Sequence, residues 1–241
     1  MYFGLLVIVF IFGSCDVSTF SNTDVVDLDK LNVIINIQNS NKTSKRGYLK
    51  VKLSDGNKQI INKNIHVLLN NIPLDLYVKD NLYYTKTSYY KTDRVLNDSA
   101  YYFEIILPDS TRYPLAFIKP RVKDAAVKFT IPEHITSKEE LVLTWEQLKT
   151  PHQLQLVNEK KYHVMKNTIE YGYVVKPIDT LTQKKGAYVI SKPSIGEPIT
   201  IEKEINVVLS RKEVGLMNAQ LLKNSSITYH QIIQKTVVIK P

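Results

Sequence analysis

The chain has 241 residues, of which 44% are hydrophobic, so it can bury a sizeable core and is not globally disordered. Its 15 Tyr and only 8 Gly, with recurrent short runs of Ile, Val and Thr, indicate β-structure with turns built mainly from Asn, Asp, Ser and Pro. The formal net charge of +9 could attract anionic glycans or lipid headgroups. The Lys residues are scattered, however. The sequence has no basic stripe with interleaved aromatic residues, so nucleic-acid binding is not predicted.

An uncharged apolar segment over residues 2–12 opens the sequence and is followed by Gly-Ser and then Cys15. It has the length of a signal-peptide hydrophobic region, whereas a membrane-spanning helix needs about 20 residues. Small residues before the only cysteine resemble the bacterial lipobox, although Phe12 stands where Leu is usual and no Lys or Arg precedes the apolar run. The resemblance implies that residues 1–14 are a signal peptide and that Cys15 carries a lipid. The alternative is a short buried strand with an inert cysteine.

Residues 16–30 are acidic and rich in Ser and Thr, with no clean hydrophobic period, which predicts a tether behind Cys15. An acidic stretch in this position resembles the surface-export signals of lipoproteins in the Bacteroidota. The resemblance implies a cell-envelope protein that is held at a bacterial membrane, the outer membrane, through its N-terminal lipid.

Short apolar runs alternate with turn residues over residues 31–120, without helical stretches between them. The alternation near Tyr101 places that ring on the buried face of a strand and Tyr102 on the opposite face. This spacing of strands predicts an antiparallel β-sandwich. Tyr101 follows Val95 by six residues with a turn between them, which resembles the corner of fibronectin type III and immunoglobulin-like domains, where a Tyr begins a core strand.

A charged segment predicts a domain boundary at 120–124, and a second set of short strands follows over 121–241. Leu141, Leu143 and Trp145 alternate as in the second strand of a fibronectin type III domain, where the Trp lies in the core. The sequence as a whole resembles the tandem immunoglobulin-like lipoproteins of the Bacteroidota. That resemblance implies an all-β fold with two antiparallel immunoglobulin-like β-sandwich domains in tandem after a lipoprotein signal peptide.

Catalytic and metal-binding motifs are missing from the sequence. A nucleophile elbow, a P-loop and a dinucleotide-binding glycine motif are all absent, and apart from Cys15 there is no thiol. Glu104 and Glu146 lie among apolar residues but alternate away from the core faces, so both are expected at the solvent surface. Five histidines occur, and no two have a helical or strand ligand spacing: His66, His134, His152, His163 and His230. We therefore expect no enzyme activity, no metal and no cofactor.

The best candidates for ligand binding are tyrosines of the first sandwich, because adjacent pairs place one ring on each face of a strand. They are Tyr83, Tyr84, Tyr89 and Tyr90. Exposed rings of this kind could stack on sugars or anchor a protein partner. The alternative is that Tyr simply suits a half-buried pleated surface.

Three tripeptides resemble the D-[S/T]-x acceptor for O-glycosylation in Bacteroidota envelope proteins. They predict modification at Ser99, Ser110 and Thr180, each in a predicted turn where an enzyme could reach it. Ordinary turn chemistry explains the same tripeptides, because Asp side chains bond readily to the backbone of a turn.

Three functional hypotheses remain open. The first is a membrane-anchored envelope lipoprotein that acts as a non-catalytic binding, adhesion or assembly module. The second is a glycan-binding accessory lipoprotein of a nutrient-uptake system, using exposed tyrosines of the first domain. A hydrolase assembled from distant loops is a third reading, which a deep cleft with clustered polar groups would favour. The partners expected are the membrane, through the lipid, and an envelope protein or glycan.

Overall fold

The computed structural model describes residues 20–21, 27–40, 47–56, 58–80, 86–92, 100–120, 127–149, 151–165, 168–191 and 203–241, and for 20–21, 158–165 and 168–173 it describes the backbone alone. Within these ranges the chain is nearly all β-strand, with one 3₁₀ turn at Leu28–Lys30 and no α-helix. The all-β prediction is confirmed.

The strands follow one another with short connections. In chain order they are β1 (Phe20–Ser21), β2 (Leu31–Ser40), β3 (Tyr48–Asp55), β4 (Lys58–Ile60), β5 (His66–Leu69), β6 (Ile72–Pro73), β7 (Asp75–Asp80), β8 (Lys86–Thr92), β9 (Tyr101–Ile106), β10 (Arg112–Ile118), β11 (Lys128–Thr130), β12 (His134–Thr136), β13 (Leu141–Glu146), β14 (His152–Met165), β15 (Thr168–Leu181), β16 (Gly186–Ile190), β17 (Lys203–Val214), β18 (Leu216–Met217) and β19 (Ser226–Lys240).

Eleven of these strands form one large sheet, whose central path runs β1-β4-β3-β2-β19-β17-β14-β15. β8 joins at β3, β7 joins at β8, and β12 joins at β19. Most pairs are antiparallel, as predicted from the spacing of the strands, but β2 and β12 run parallel to β19, and β1 runs parallel to β4. A parallel pair cannot be closed by a tight hairpin, so the periodicity of neighbouring strands does not predict it.

Two smaller sheets pack on the large one and produce two hydrophobic clusters. The first cluster lies between β2, β3 and β8 of the large sheet and the five-stranded sheet β18-β10-β9-β5-β6. The second lies between β14, β17 and β19 and the three-stranded sheet β11-β13-β16. Each cluster is therefore sandwich-like, since apolar side chains of two facing sheets meet in it.

The strand β19 contributes to both clusters. Ile227 and Tyr229 lie in the first cluster, whereas Ile233 and Val237 lie in the second. The sequence predicted that all of 121–241 belongs to the second sandwich, whereas β19 contributes side chains to both clusters. Its 15 residues span roughly 50 Å, enough to serve two cores. The division into two domains remains a prediction.

A buried polar group separates the two clusters along the inner faces of β17 and β19. Arg211 and Gln231 are cross-strand neighbours, and both are buried. The Arg211 guanidinium forms an ion pair of 2.7 Å with Glu213, two residues along the same strand. Buried charges require such partners, so this group interrupts what would otherwise be one continuous apolar face.

Trp145 lies in the second cluster with 4% of its surface exposed, as predicted. Its indole Nε1–H donates to the carbonyl of Gln183 at 2.8 Å, which satisfies the only polar atom of the ring. The next residue, Glu146, points outward and pairs with Lys185 at 2.8 Å. That ion pair holds the pKa of the Glu146 carboxyl below its usual range.

Residues 1–19 lie outside the described ranges, so the signal peptide at 1–14 and lipidation at Cys15 remain predictions. The last part of the expected tether does belong to the folded body. Leu28 is buried in the first cluster, and the 3₁₀ turn leads directly into β2. The apolar side chain of Leu28, set among acidic neighbours, gave no periodic signal of this packing.

Candidate functional site

A groove of about 950 Å³ crosses the outer face of the five-stranded sheet, on the side away from the first cluster. It is lined by side chains of β9, β10 and β18 and by the turn between β5 and β6. Tyr102 and Phe117 supply aromatic surface, whereas Asn71 and Glu104 supply polar groups. The groove is therefore amphipathic, with rings and hydrogen-bonding groups side by side.

The β5–β6 turn builds one end of the groove. Leu69 pairs with Ile72, so the connection is a two-residue hairpin loop formed by Asn70 and Asn71. Their φ angles are 48° and 67°, which is the left-handed pair that a type I′ turn requires. Asn adopts this conformation more readily than other residues with a side chain, and the Asn-Asn dipeptide between apolar runs therefore specifies the turn.

Asn70 also fixes the strand that carries Tyr102. Its backbone N–H donates to the Tyr102 carbonyl at 2.9 Å, and its side-chain Oδ1 accepts from the Tyr102 N–H at 2.9 Å. The amide Nδ2 donates to the carbonyl of Ala100 at 3.1 Å. One turn residue thus holds three backbone groups at the beginning of β9, just where the groove begins.

Tyr102 and Phe117 are the aromatic centre of the groove. They are cross-strand neighbours on β9 and β10, and their ring centroids lie 4.6 Å apart with planes inclined by 30°. Tyr102 remains 55% exposed, although Tyr101, on the other face of the same strand, is buried. An exposed ring supported by a second ring is a rigid apolar surface for a ligand.

Beside the rings, Arg112 is held by two acceptor side chains, Glu104 and Asn71. Its Nε donates to Glu104 Oε1 at 2.9 Å, and its Nη2 contacts both Glu104 Oε2 and Asn71 Oδ1. The hydrogen bond that Arg112 donates to Glu104 raises the pKa of the guanidinium above its usual range. A two-point carboxylate pair orients the guanidinium, so donors and acceptors stand in fixed positions before any ligand arrives.

The opposite wall comes from the short strand β18. Gly215 allows it to approach β10, because a Cβ at Gly215 would stand 2.5 Å from the carbonyl oxygen of Phe117. Asn218 then ties the wall down, since its Nδ2 donates to the Pro114 carbonyl at 2.8 Å. Leu216 is left 72% exposed at the rim, which adds an aliphatic contact to the groove.

The arrangement suits recognition better than reaction. The groove holds one carboxylate, Glu104, and this group is neutralised by Arg112 rather than poised as an acid or base. Within the described part of the chain, no three His, Cys, Asp or Glu side chains are grouped as metal ligands. An aromatic platform with oriented donors and acceptors can bind a ligand without changing it.

Of the four tyrosines predicted as a ligand platform, the structure describes two, Tyr89 and Tyr90, and they point to opposite faces of β8. Tyr90 is 3% exposed, its hydroxyl donates to the Ile65 carbonyl at 2.9 Å, and burial raises its pKa. Tyr89 lies half-buried on the outer face of the large sheet, with Lys50 Nζ 3.9 Å from its ring centroid. Tyr83 and Tyr84 lie outside the described residues. The side chain of Tyr90 thus belongs to the first cluster and presents almost no ring surface to solvent.

Most residues of the groove could not be predicted from the sequence. Alternation did place Tyr102 on an outward face, and the Asn-Asn dipeptide was a readable turn signal. Phe117 and Asn71 line the groove, and Arg112 bonds to Glu104 and Asn71 at its edge. These positions depend on strand register, with a bulge between Pro114 and Ala116, which a single sequence does not reveal.

The three predicted glycosylation positions differ in their surroundings. Ser110 is exposed in the turn between β9 and β10, with φ 69°, and its N–H donates to the Leu107 carbonyl at 2.8 Å. Thr180 is exposed but lies within β15, opposite Gln153, so its predicted turn is wrong. The long β14–β15 hairpin continues through it. Ser99 lies outside the described residues.

The described histidines lie apart from one another. His66 and His134 are exposed, whereas His152 is buried. Burial, and then the nearby charge of Lys212, lower the pKa of His230. Among the residues that the structure describes, no helix has the length and apolar character to cross a membrane.

Comparison with known proteins adds no relative. No protein-family model matches the chain, and no curated protein matches its sequence. The geometry alone therefore defines the class of this protein, which is an all-β protein with sandwich-like packing and an amphipathic surface groove.

Proposed function

We propose that this protein is a membrane-anchored envelope lipoprotein that acts as a non-catalytic binding module, with the Tyr102 groove as its ligand site. In this proposal Cys15 carries the lipid, and the two clusters correspond to two immunoglobulin-like β-sandwich domains. The lipid holds the body at the membrane, and the groove contacts a component of the envelope. The fold alone fixes no function, so the proposal depends on the site.

The observation that carries the proposal is the ordered state of the groove. Glu104 and Asn71 hold Arg112, and Asn70 holds the backbone beside Tyr102, so the polar and aromatic groups are already oriented. A preorganised site loses little conformational entropy on binding. Tyr and Arg are also the side chains most enriched at the energetic centres of protein interfaces.

The test uses the full chain with Cys15→Ala, so that the anchor does not mask binding by the body. This protein is mixed with isolated cell envelopes, and the fraction that sediments is measured with and without Tyr102→Ser and Arg112→Ala. The groove variant should lose most of its sedimentation. A matched control, Val142→Ser with Lys138→Ala, changes two exposed residues away from the groove. It should leave the sedimented fraction unchanged. Equal sedimentation of the groove variant and its parent would contradict the proposal.

A second candidate, the glycan-binding accessory protein, draws support from the Tyr102–Phe117 pair. Sugars stack on exposed rings and bond to planar amide, carboxylate and guanidinium groups. The two candidates separate in the same assay. Protease treatment of the envelopes should abolish binding to a protein partner, whereas periodate oxidation, which cleaves vicinal diols, should abolish binding to a glycan.

A further inference from the structure

A second surface lies on the opposite side of the first cluster, on the outer face of the large sheet. We name it the basic face and define it by three lysines, Lys50, Lys52 and Lys91, and three tyrosines, Tyr48, Tyr77 and Tyr89. They come from β3, β7 and β8, and the alternation of buried and exposed residues points all six outward. The groove and the basic face share no residue.

The three lysines are unusually close for like charges. Lys50 and Lys91 are directly opposite each other on β3 and β8, and Lys52 is two residues from Lys50 on the same face. Like charges directly opposite on a sheet repel each other and destabilise it. Asp75 of β7 is the register partner of Lys91 on its other side. Among the described residues, neither Lys50 nor Lys52 forms an ion pair with a carboxylate.

Tyrosine rings hold the ammonium groups in place. Lys50 Nζ lies 3.9 Å from the centroid of Tyr89, and Lys91 Nζ lies 4.9 Å from that of Tyr77. The two rings also contact each other, with centroids 5.1 Å apart. Partial burial, and then the charge of Lys52, lower the pKa of Lys50. The ammonium groups of Lys50 and Lys91 are therefore held on neighbouring rings, and an incoming anion would relieve their repulsion.

The surrounding surface indicates the kind of anion. Tyr48 and Tyr77 are both exposed, and they lie at different ends of the lysine group. Rings and ammonium groups thus lie side by side on one face of the sheet, which complements a polymer that carries both sugar faces and acid groups. A membrane surface fits less well, because the exposed apolar groups of this face are phenol rings and not aliphatic side chains that insert among lipids.

From this charge and ring pattern we propose that the basic face binds an anionic polysaccharide. The lysines pair with its carboxylate or sulfate groups, and Tyr48 and Tyr77 contact its sugar rings. This site is independent of the groove and of what the groove binds.

The experiment measures binding of the full-length protein in detergent to polygalacturonate and dextran sulfate, with uncharged dextran as the reference polymer. The parent should bind both anionic polymers, and its affinity for them should fall as the salt concentration is raised. It should bind dextran weakly or not at all. The variant Lys50→Gln with Lys91→Gln should lose affinity about tenfold, because two contact charges are removed. Tyr77→Ser should weaken binding without changing its salt dependence.

The matched control is Lys138→Gln with Lys223→Gln, which removes the same charge from exposed positions elsewhere. It should change affinity less than about twofold, since distant exposed charges are screened. Equal losses in the two double variants would mean that net charge alone drives binding, and would overturn the proposal. No binding of the parent to either anionic polymer would also overturn it, as would stronger binding to phosphatidylglycerol vesicles than to both polymers. Unfolding midpoints of all variants show whether each is folded.

Discussion

Gly186 of β16 lies directly opposite Trp145 of β13, against the face of its indole. A Cβ at Gly186 would stand 2.5 Å from Cζ2 and 2.9 Å from Cη2 of that ring, which is closer than real atoms approach. The indole cannot swing away cheaply, because its Nε1–H is bonded to Gln183 and the ring is packed in the second cluster. The absence of a side chain at Gly186 is therefore part of how Trp145 is buried.

Replacing Gly186 by Ala should lower the free energy of unfolding by about 1–3 kcal/mol, because an extra methyl group in a packed core forces displacement. Urea unfolding followed by Trp145 fluorescence measures this directly, since Trp145 is the only Trp in the chain. The parent should emit at a blue-shifted wavelength and shift red on unfolding. Ala187→Ser, at the exposed neighbouring position, is the control. Equal stability of Gly186→Ala and this control would refute the packing argument.

Tyr90→Phe should destabilise the protein by about 1–3 kcal/mol at neutral pH, because the Ile65 carbonyl would lose its buried donor. Burial raises the pKa of Tyr90, so the folded state keeps this proton after the unfolded chain has released it. Stability from Tyr90 is therefore complete below about pH 10, the unfolded value, and is lost as pH rises above it. Unfolding in urea as a function of alkaline pH should show a shallower decline for Tyr90→Phe than for the parent. Tyr77→Phe, at an exposed position, is the matched control.

Asn70→Gly should cost about 1–2 kcal/mol, because glycine keeps the left-handed turn but removes the side-chain bonds to Tyr102 and Ala100. Asn71→Gly also keeps the turn, and its side chain bonds only to the exposed Arg112 among the contacts described. We expect it to cost less than about 0.5 kcal/mol. Denaturant unfolding of the two variants compares them, and equal losses would show that the side chain of Asn70 does not stabilise β9.

Cys15→Ala should move the protein from the membrane fraction to the soluble fraction, because the proposed lipid would have no attachment site. Fractionation of the producing cells with detection in each fraction measures this, and mass spectrometry of the N-terminus identifies the acyl groups. Ser14→Ala is the control and should leave the protein in the membrane. Unchanged membrane retention of Cys15→Ala, with an unprocessed N-terminus, would exclude the lipoprotein proposal.

Alternation in single strands was enough to predict the all-β fold and the buried positions of Tyr101 and Trp145, since each depends on its own strand. Pairing between distant strands was not predictable. The parallel contact of β2 with β19, and the entry of Ile227 into the first cluster, depend on residues 192 positions apart. The groove was missed for the same reason, because the contacts of Phe117 with Tyr102 and of Arg112 with Glu104 and Asn71 form only after the strands are in register.

The placement of β19 has a consequence for how the protein matures. Its residues complete both cores, and it lies between β2 and β17 in the middle of the large sheet rather than at an edge. Until β19 arrives, β2 and β17 both present open hydrogen-bonding edges, and each core lacks the side chains that β19 contributes. Contacts of such long sequence separation form slowly. Neither core can therefore be complete before β19 is in place, and a chain without β19 exposes apolar surface and strand edges that favour aggregation.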